Sequence, residues 1–437
     1  MSARIDLADV QANVLQGVGH RHGHHLIARI DDPAATRALL RDLAPLVHDA
    51  RPWEAKPPVV RNIAISANGL RRLGVPDAEV REFGLAFSDG MASRAQVLGD
   101  LEESDPATWH EGFASGEAHL LVWIHGEDAA VVDEEVARWR PRLDLVHQMP
   151  VWKHSHAREQ FGFSDGFSQP LFEGVRRVPG EEGRLTKHGH ERPLAAGELL
   201  LNHRDGMGVL LPVGKRPLAR NSTILVWREL QQDVAGFRAA TAAHAEALDL
   251  DPALVAAKLV GRWQDGTPLV LAPDAPPSTP TDRLAVDDFR YGDDPIGLAC
   301  PLGAHVRRAN PRDGLRFDEM VNRHRIIRRG FPYGPPLPEG APEDGKERGL
   351  LFVALNASPE RQFEFVQAQW CNDGSRVGVG IDGDPLIGAP GPGAGRFVLG
   401  GRPPRLLDGL PSFVRTRAGE YFLLPGLTAL RSLGGHP

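Results

Sequence analysis

Asp165 stands in the stretch FGFSDGFSQP (161–170), a single carboxylate framed by glycines and by Phe161, Phe163 and Phe167. A carboxyl group set against apolar rings has its proton affinity raised by burial, and a nearby cation lowers it, so such a group can shuttle a proton. The same residues, Gly162-Phe163-Ser164-Asp165-Gly166, also fit the G-x-S-x-G pattern of a hydrolase nucleophile elbow. That elbow needs a hydrophobic strand before the serine and a helix after it. Here the polar HAREQ precedes, and Pro170 follows six residues after Ser164, so Ser164 is read as a bystander. A plain turn is the bland alternative for a Ser-Asp-Gly segment.

A second stretch, CPLGAHVRRANPRD (300–313), sets His305 among small neighbours and close to Arg307, Arg308 and Arg312. A lone histidine is more often structural than ligating. Small flanking residues, however, admit a flat ligand, and arginines pair with carboxylates. The combination suits haem, with imidazole as axial ligand and the propionates as anions. A third stretch, NRHRIIRRGFPYG (322–334), places Arg328 and Arg329 before a Gly-Phe-Pro turn, and a solvated basic loop is the default reading.

Two further patterns carry less. HRHGHH (His20, His22, His24, His25) resembles a metal tract, but no cysteine or carboxylate sits close by to complete it. A surface loop entering a strand is preferred. Gly378–Gly383 matches G-x-G-x-x-G, yet Asp384-Pro385 follows where a helix should begin.

The elements that must position these groups follow from periodicity. In the first half, strands are predicted at 24–30, 59–66, 119–125 and 143–149, and helices at 34–50 and 127–140. Short helices and loops fill 68–116. Without that filling the order is β-α-β-β-α-β, the ferredoxin-like unit. In the second half a strand at 222–229 precedes a helix over 230–247 and a long irregular insertion at about 264–349. A strand at 350–356 and a helix at 358–370 follow, the helix with Ser358 as N-cap and Pro359 at its first position. Strands near 396–399, 412–416 and 420–424 complete it. The expectation is an α+β chain of two ferredoxin-like units with antiparallel sheets, 1–190 carrying the Asp165 loop and 191–437 carrying His305.

Bulk properties narrow the function. The 437 residues carry 41% hydrophobic and 24% charged side chains, values of a globular protein long enough to bury a cofactor. A net charge of −7 argues against non-specific nucleic-acid binding. No apolar run approaches a membrane span, and MSARIDLADV lacks the pattern of an export signal. Two cysteines, Cys300 and Cys371, give no disulfide framework, so a reducing, cytoplasmic location is expected. The tail LRSLGGHP has a faint likeness to tags that load cargo into nanocompartments. The plainer reading, that 427–433 ends the last packed segment, is preferred.

Taken together, the three stretches resemble the dye-decolourising peroxidase family. Its G-x-x-D-G signature stands as Gly162–Gly166, its proximal histidine segment as Cys300–Arg308, and its distal arginine segment as Ile326–Gly330. The likeness runs in order from DVQANVLQG (9–17) through GRWQDGTPLVL (261–271) and ERQFEFVQAQW (360–370) to YFLLPGL (421–427). The resemblance implies a fold of dimeric α+β barrel type, b-type haem held by the second unit, and oxidation of dyes or phenols by hydrogen peroxide. It implies that His305 is the axial ligand of the haem iron and Asp165 the distal acid–base. It makes Arg328 the distal arginine, with Arg329 one position away as the competing choice, and Leu350 and Phe352 lining of the distal pocket. Arg307 is a further candidate for the haem carboxylates, and Asp384 the candidate to orient the imidazole. The partners implied are peroxide and an organic donor, with electrons passing through a Trp or Tyr for bulky dyes. A homo-oligomer is compatible with this reading. The alternative is a haem-binding protein with little turnover, serving storage, sensing or iron release.

Overall fold

In the computed structural model, residues 5–17, 19–153, 158–175, 193–279, 285–315 and 318–435 are described. The expected unit boundary at 190/191 lies outside them. Four strands build the first unit: β1 (His22–Arg29), β2 (Val59–Ser66), β3 (Leu120–Gly126) and β4 (Asp144–Trp152). Seven follow: β5 (Thr223–Gln232), β6 (Ile327–Arg328), β7 (Phe331–Tyr333), β8 (Gly349–Asn356), β9 (Phe397–Leu399), β10 (Arg405–Leu407) and β11 (Val414–Leu424).

The main sheet runs β4-β1-β3-β2-β11-β5-β8-β6, with β7 also on β8, and every pairing is antiparallel. Each half therefore has the order fourth-first-third-second of a β-α-β-β-α-β unit, with β6 and β7 together acting as the second strand of the second half. The halves join where β2 meets β11, Ser66 opposite Phe422 and Ile65 opposite Leu423. At the far edges the sheet curls back on itself. The Phe331 ring of β7 lies 4.4 Å from the His125 ring and 5.0 Å from Lys153 Nζ, just past β4. The result is an α+β barrel. Trp123 and Trp227, from opposite halves, are fully buried within it, and Trp227 Nε1 donates to His25 Nδ1 at 3.1 Å.

The helices start where capping chemistry directs. Asp32 accepts from the amides of Ala34 and Ala35 and Pro33 opens the helix Pro33–Leu43, which buries Leu39, Leu40 and Leu43. This helix stops at Leu43 instead of running to Ala50: the chain tightens into a 3-10 turn over Ala44–Leu46, and Pro45 has no N–H with which to continue the helical ladder. Asp128 caps Ala129–Trp139, and Asp233 caps Val234–Leu248.

Several expectations need correction. Leu230–Gln232 extend β5 and do not begin a helix, since their backbones are held by both β8 and β11. The strands expected at 412–416 and 420–424 are one strand, β11, with a register shift between Thr416 and Ala418. An Arg-Ala-Gly run that looks like a turn is accommodated there as a bulge. β9 pairs only with β10, outside the main sheet. The helix expected over 358–370 is regular only at Phe363–Phe365 and then widens into π-type turns over Val366–Cys371. Such turns often mark functional positions, and these bring Val366, Gln367 and Cys371 to one cavity wall. The irregular stretch 264–349 is not a mere insertion, because it supplies β6 and β7.

One buried carboxyl makes a pH-dependent prediction. Glu420 on β11 is buried, and among the described residues only the Met91 and Tyr421 amides donate to it. Burial pushes its carboxyl up to about 7. A carboxyl raised above its unfolded value makes the folded protein bind the extra proton. Stability is therefore lost as pH rises from about 4.5 through about 7. Glu420→Gln should melt higher than the parent at pH 8, by on the order of 3 kcal/mol, with the gain vanishing near pH 4. Melting curves across that range check it, and a gain independent of pH would contradict it.

Candidate active site

A cavity of about 290 Å³ lies against the outer face of β5 and β8. Side chains alternate across a strand, so Leu230 and Gln232 of β5 and Leu350 and Phe352 of β8 face the cavity while Leu351 and Val353 are buried on the other side. Both apolar candidates, Leu350 and Phe352, thus line it. The remaining walls come from the Asp165 loop, the helix His305–Ala309, the segment around β6 and the wide turns at Val366–Cys371.

His305 opens its short helix and faces the cavity. Its Nδ1 lies 3.0 Å from Asp384 Oδ2, and the Asp384 side chain is completely buried. Asp384 Oδ1 accepts from the amides of Leu386 (2.9 Å) and Ile387 (3.1 Å), which fixes the carboxylate. Burial disfavours the charge on both partners, but each outweighs it for the other, so the imidazole is raised and the carboxyl lowered from their ordinary values. Asp384 was expected as the orienting carboxylate, and the turn that carries it is the one whose glycines imitate a dinucleotide loop. No helix follows those glycines.

Across the cavity, Arg328 Nη1 lies 3.2 Å from Asp165 Oδ1. Both are part-exposed, Arg328 at 37% and Asp165 at 39% of their side-chain surface, and both line the cavity. Asp165 also accepts from the Gly166 amide at 2.6 Å, and Arg328 Nη2 donates to the Phe167 carbonyl at 2.5 Å. Gln169 grips the Arg328 backbone through both its amide and its carbonyl, at 2.9 and 2.8 Å. Gly162 and Gly166 have φ of +98° and +90°, conformations that disfavour a side chain. They allow the loop to present Asp165. Arg329 turns the other way, donating to the Asn13 carbonyl at 2.8 Å, and desolvation lowers its guanidinium to about 10. Adjacent residues on an extended strand point oppositely, which separates the two arginines.

Two expectations change here. Arg307 does not reach the cavity. Two positions along a helix it lies nearly opposite His305, buried, with Nη1 at 3.1 Å from Asp294 Oδ2 and its guanidinium 4.5 Å from the Tyr291 ring centroid. Phe161 and Phe163 do more than frame Asp165. They anchor the loop by packing on Phe237, with ring centroids 4.6 and 6.4 Å away. Ser164 has no histidine hydrogen-bonded to it among the described residues, and its amide donates to the Gln264 carbonyl. The HRHGHH histidines do not converge: His20 and His25 are buried, burial holds them at about 4 and about 3, and His24 turns to Asp133.

Other residues had no sequence signal. Glu159, part-buried beneath the Asp165 loop and also lining the cavity, accepts from the Phe161 and Phe163 amides at 2.9 and 2.8 Å and from Gln232 Nε2 at 2.7 Å. Its burial raises its carboxyl from the usual value. At the opposite end of the cavity Asp287 binds the Ser168 amide and hydroxyl, at 2.7 and 2.5 Å. Arg262 and Arg312 both reach Ser168 Oγ, at 3.2 and 3.0 Å, and both line the cavity. Ser168 takes a positive φ of 59°, a strained setting that this network holds in place. Glu159 sits in the polar run that argues against a hydrolase elbow, and nothing in its spacing marks it.

The donor set suits a flat, iron-bearing macrocycle. A histidine held by a buried carboxylate through Nδ1 leaves Nε2 as a ligand atom. The walls are largely aliphatic and aromatic, and cations stand at one end where carboxylate substituents would meet them.

Comparison with known proteins gives the class. The family model described as the DyP dimeric alpha+beta barrel domain matches residues 9–145, and that described as the Dyp-type peroxidase C-terminal region matches residues 277–377. The chain is 28% identical over 477 residues to dye-decolorizing peroxidase msp1 of Mycetinis scorodonius, covering 99% of this chain and 88% of that one. It is 34% identical over 297 residues to the multifunctional dye peroxidase DyP2 of an Amycolatopsis species, covering 63% of this chain and 61% of that one. Among solved structures, an ancestral D-type dye decolorizing peroxidase superposes with a TM-score of 0.83 at 27% identity, over 99% of this chain and 100% of that one. A DyP-type peroxidase from an Anabaena species gives 0.82 at 28% identity, over 98% and 94%. The chain belongs to the dye-decolourising peroxidase family. It is a peroxidase, an oxidoreductase acting on dyes, in a family of haem enzymes that use hydrogen peroxide and an organic donor.

Proposed function

We propose that the protein binds haem b in the cavity, where His305 would hold the iron and Asp165 and Arg328 would handle peroxide. The observation that carries this reading is the arrival at one cavity of the Asp384-held imidazole and the Asp165–Arg328 ion pair, from three separate segments. In this division of labour the first unit, 1–190, supplies the acid–base loop and the second, 191–437, the ligand.

When bound, haem supplies a redox-active iron and a conjugated ring that can hold oxidising equivalents. The chain's residues do the rest. The Asp165 carboxylate would accept a proton from peroxide and return it to the oxygen that leaves as water, with bound haem supplying the two electrons needed to break the O–O bond. Arg328 offers fixed positive charge and N–H donors to the developing anion. Asp384 keeps a hydrogen on His305 Nδ1 and so directs Nε2 to the metal. Leu350 and Phe352 restrict water beside Asp165. Arg312, in place of Arg307, stands where a propionate would meet a cation. The acid–base pair favours turnover over simple haem storage. The two thiols are free and buried, which supports a reducing, cytoplasmic setting, and no described helix is long and apolar enough to cross a membrane.

The two adjacent arginines provide the test. Arg328→Leu should keep the Soret band and slow its response to peroxide by about 10²–10³-fold, the loss of one well-placed donor. Arg329→Leu should lower the melting temperature and leave that rate near the parent's. A parent-like rate in Arg328→Leu overturns the assignment.

A further inference from the structure

On the opposite face of β5 from the cavity, three side chains from distant parts of the chain meet. Glu229 comes from β5, His147 from β4, and His110 from the loop that docks on β11 through its amide, 2.8 Å from the Arg417 carbonyl. His110 Nε2 lies 3.1 Å from Glu229 Oε1, and His147 Nε2 lies 3.0 Å from Oε2. The two imidazoles are stacked, centroids 4.8 Å apart and planes 20° from parallel. Among the described residues this is the one group of three His, Cys, Asp or Glu ligand atoms within 4.8 Å of one another.

We propose that His110, His147 and Glu229 bind one divalent first-row metal ion of the Zn²⁺ type, pinning the first half of the barrel to the second. Two imidazole nitrogens and one carboxylate form a known three-ligand set for Zn²⁺, with a fourth position left for water. Bonds of about 2.0–2.1 Å in tetrahedral array separate neighbouring ligand atoms by roughly 3.3 Å, so the observed spacing needs only small side-chain rotations. Glu229 is 3% exposed while His110 and His147 are 27% and 17% exposed, so an ion enters past the histidines and keeps an open side. Phe113 and Trp227 stack edge-on to the His147 ring and hold its plane.

The alternative is a purely protonic triad. It sets two stacked imidazoles against a single carboxylate, and if both are charged they repel each other. One divalent ion needs only neutral imidazoles. In the metal-free protein burial works to raise Glu229, but its two histidine partners pull it down to about 2. Arg417 and Glu347 also act on His110, with opposite signs.

The experiment uses tag-free, haem-loaded protein stripped with chelator and titrated with Zn²⁺ calorimetrically at pH 7.5, with bound zinc counted after dialysis. The expected result is one Zn²⁺ per chain and a higher melting temperature. Changes to the partners of metal ligands alone cost roughly 10–100-fold in affinity, so His110→Ala and Glu229→Gln should each weaken binding by about 100-fold or more. Both should keep the parent's Soret band. His110 lies in a part-exposed loop, so its variant tests the site even if Glu229→Gln does not fold. Absence of retained zinc in the parent, or parent-like zinc binding in His110→Ala, overturns the proposal.

Discussion

An Asp165→Ala protein is expected to keep haem and its Soret band, yet to respond to hydrogen peroxide about 10²–10⁴-fold more slowly than the parent. That range is the usual contribution of one positioned acid–base group. The reasoning is geometric. Asp165 is the carboxylate paired with Arg328 at 3.2 Å on the cavity wall, and the other acidic groups nearby are committed elsewhere. Glu159 is occupied by two amides and Gln232, Asp287 by Ser168 and two arginines, and Asp384 by His305. None of them can move to take up the proton without abandoning buried donors, each costing about 1–3 kcal/mol. Asp165→Asn separates the two possible roles, because it keeps the shape and hydrogen-bonding capacity and removes the base. It should be nearly as slow as the alanine variant. Stopped-flow mixing with peroxide, followed at the Soret band, checks both.

His305→Ala should produce the second large effect, on binding instead of rate. Haem added to this variant should be held weakly or not at all, and the Soret band should lose its protein-bound shape. The buried Asp384 would then lose its imidazole partner and keep only the Leu386 and Ile387 amides and the charge of Arg308. Removing one partner of a buried pair typically costs about 3–5 kcal/mol, so the melting temperature should also fall. His305→Gln restores a hydrogen-bonding partner and should recover part of that stability without recovering haem. A variant with unchanged haem affinity would show that another residue is the ligand. Arg308, three positions on, is no substitute, since it donates to the carbonyls of Gly303, Trp370 and Asp382 and is fully buried.

Much of the frame was legible because alternation and capping are local. The strand at 59–66 was placed to the residue, and the repeated β-α-β-β-α-β order follows from it and its neighbours. The errors arose where tertiary pairing overrides local pattern. Leu230–Gln232 have helical spacing, but ladders on both sides hold them extended. The widened turns at Val366–Cys371 carry a helix-like sequence whose geometry is set by the cavity they line.

The candidate site divides in the same way. Asp165, His305 and Arg328 stand in motifs that the residues themselves display. The choice between Arg328 and Arg329 was a matter of strand face, which depends on β6 pairing with β8, Arg328 opposite Ala354. Arg307 was misplaced because the rotation of a five-residue helix is fixed by what it packs on, here Asp294 and Tyr291. The Ser168–Asp287 network joins segments more than a hundred residues apart and Glu159 is held by Gln232 from a distant strand, and no local spacing encodes such contacts.

The central claim is that one cavity holds haem through His305 and turns over peroxide through Asp165 and Arg328. Its most direct test is a spectral titration of the purified, haem-loaded protein. The account predicts a Soret band that shifts on one equivalent of hydrogen peroxide and returns when a dye or phenol is added, with both changes slowed by Asp165→Ala and the band itself lost in His305→Ala. A Soret band that peroxide leaves unmoved, or one that shifts at the parent's rate in Asp165→Ala, would contradict it.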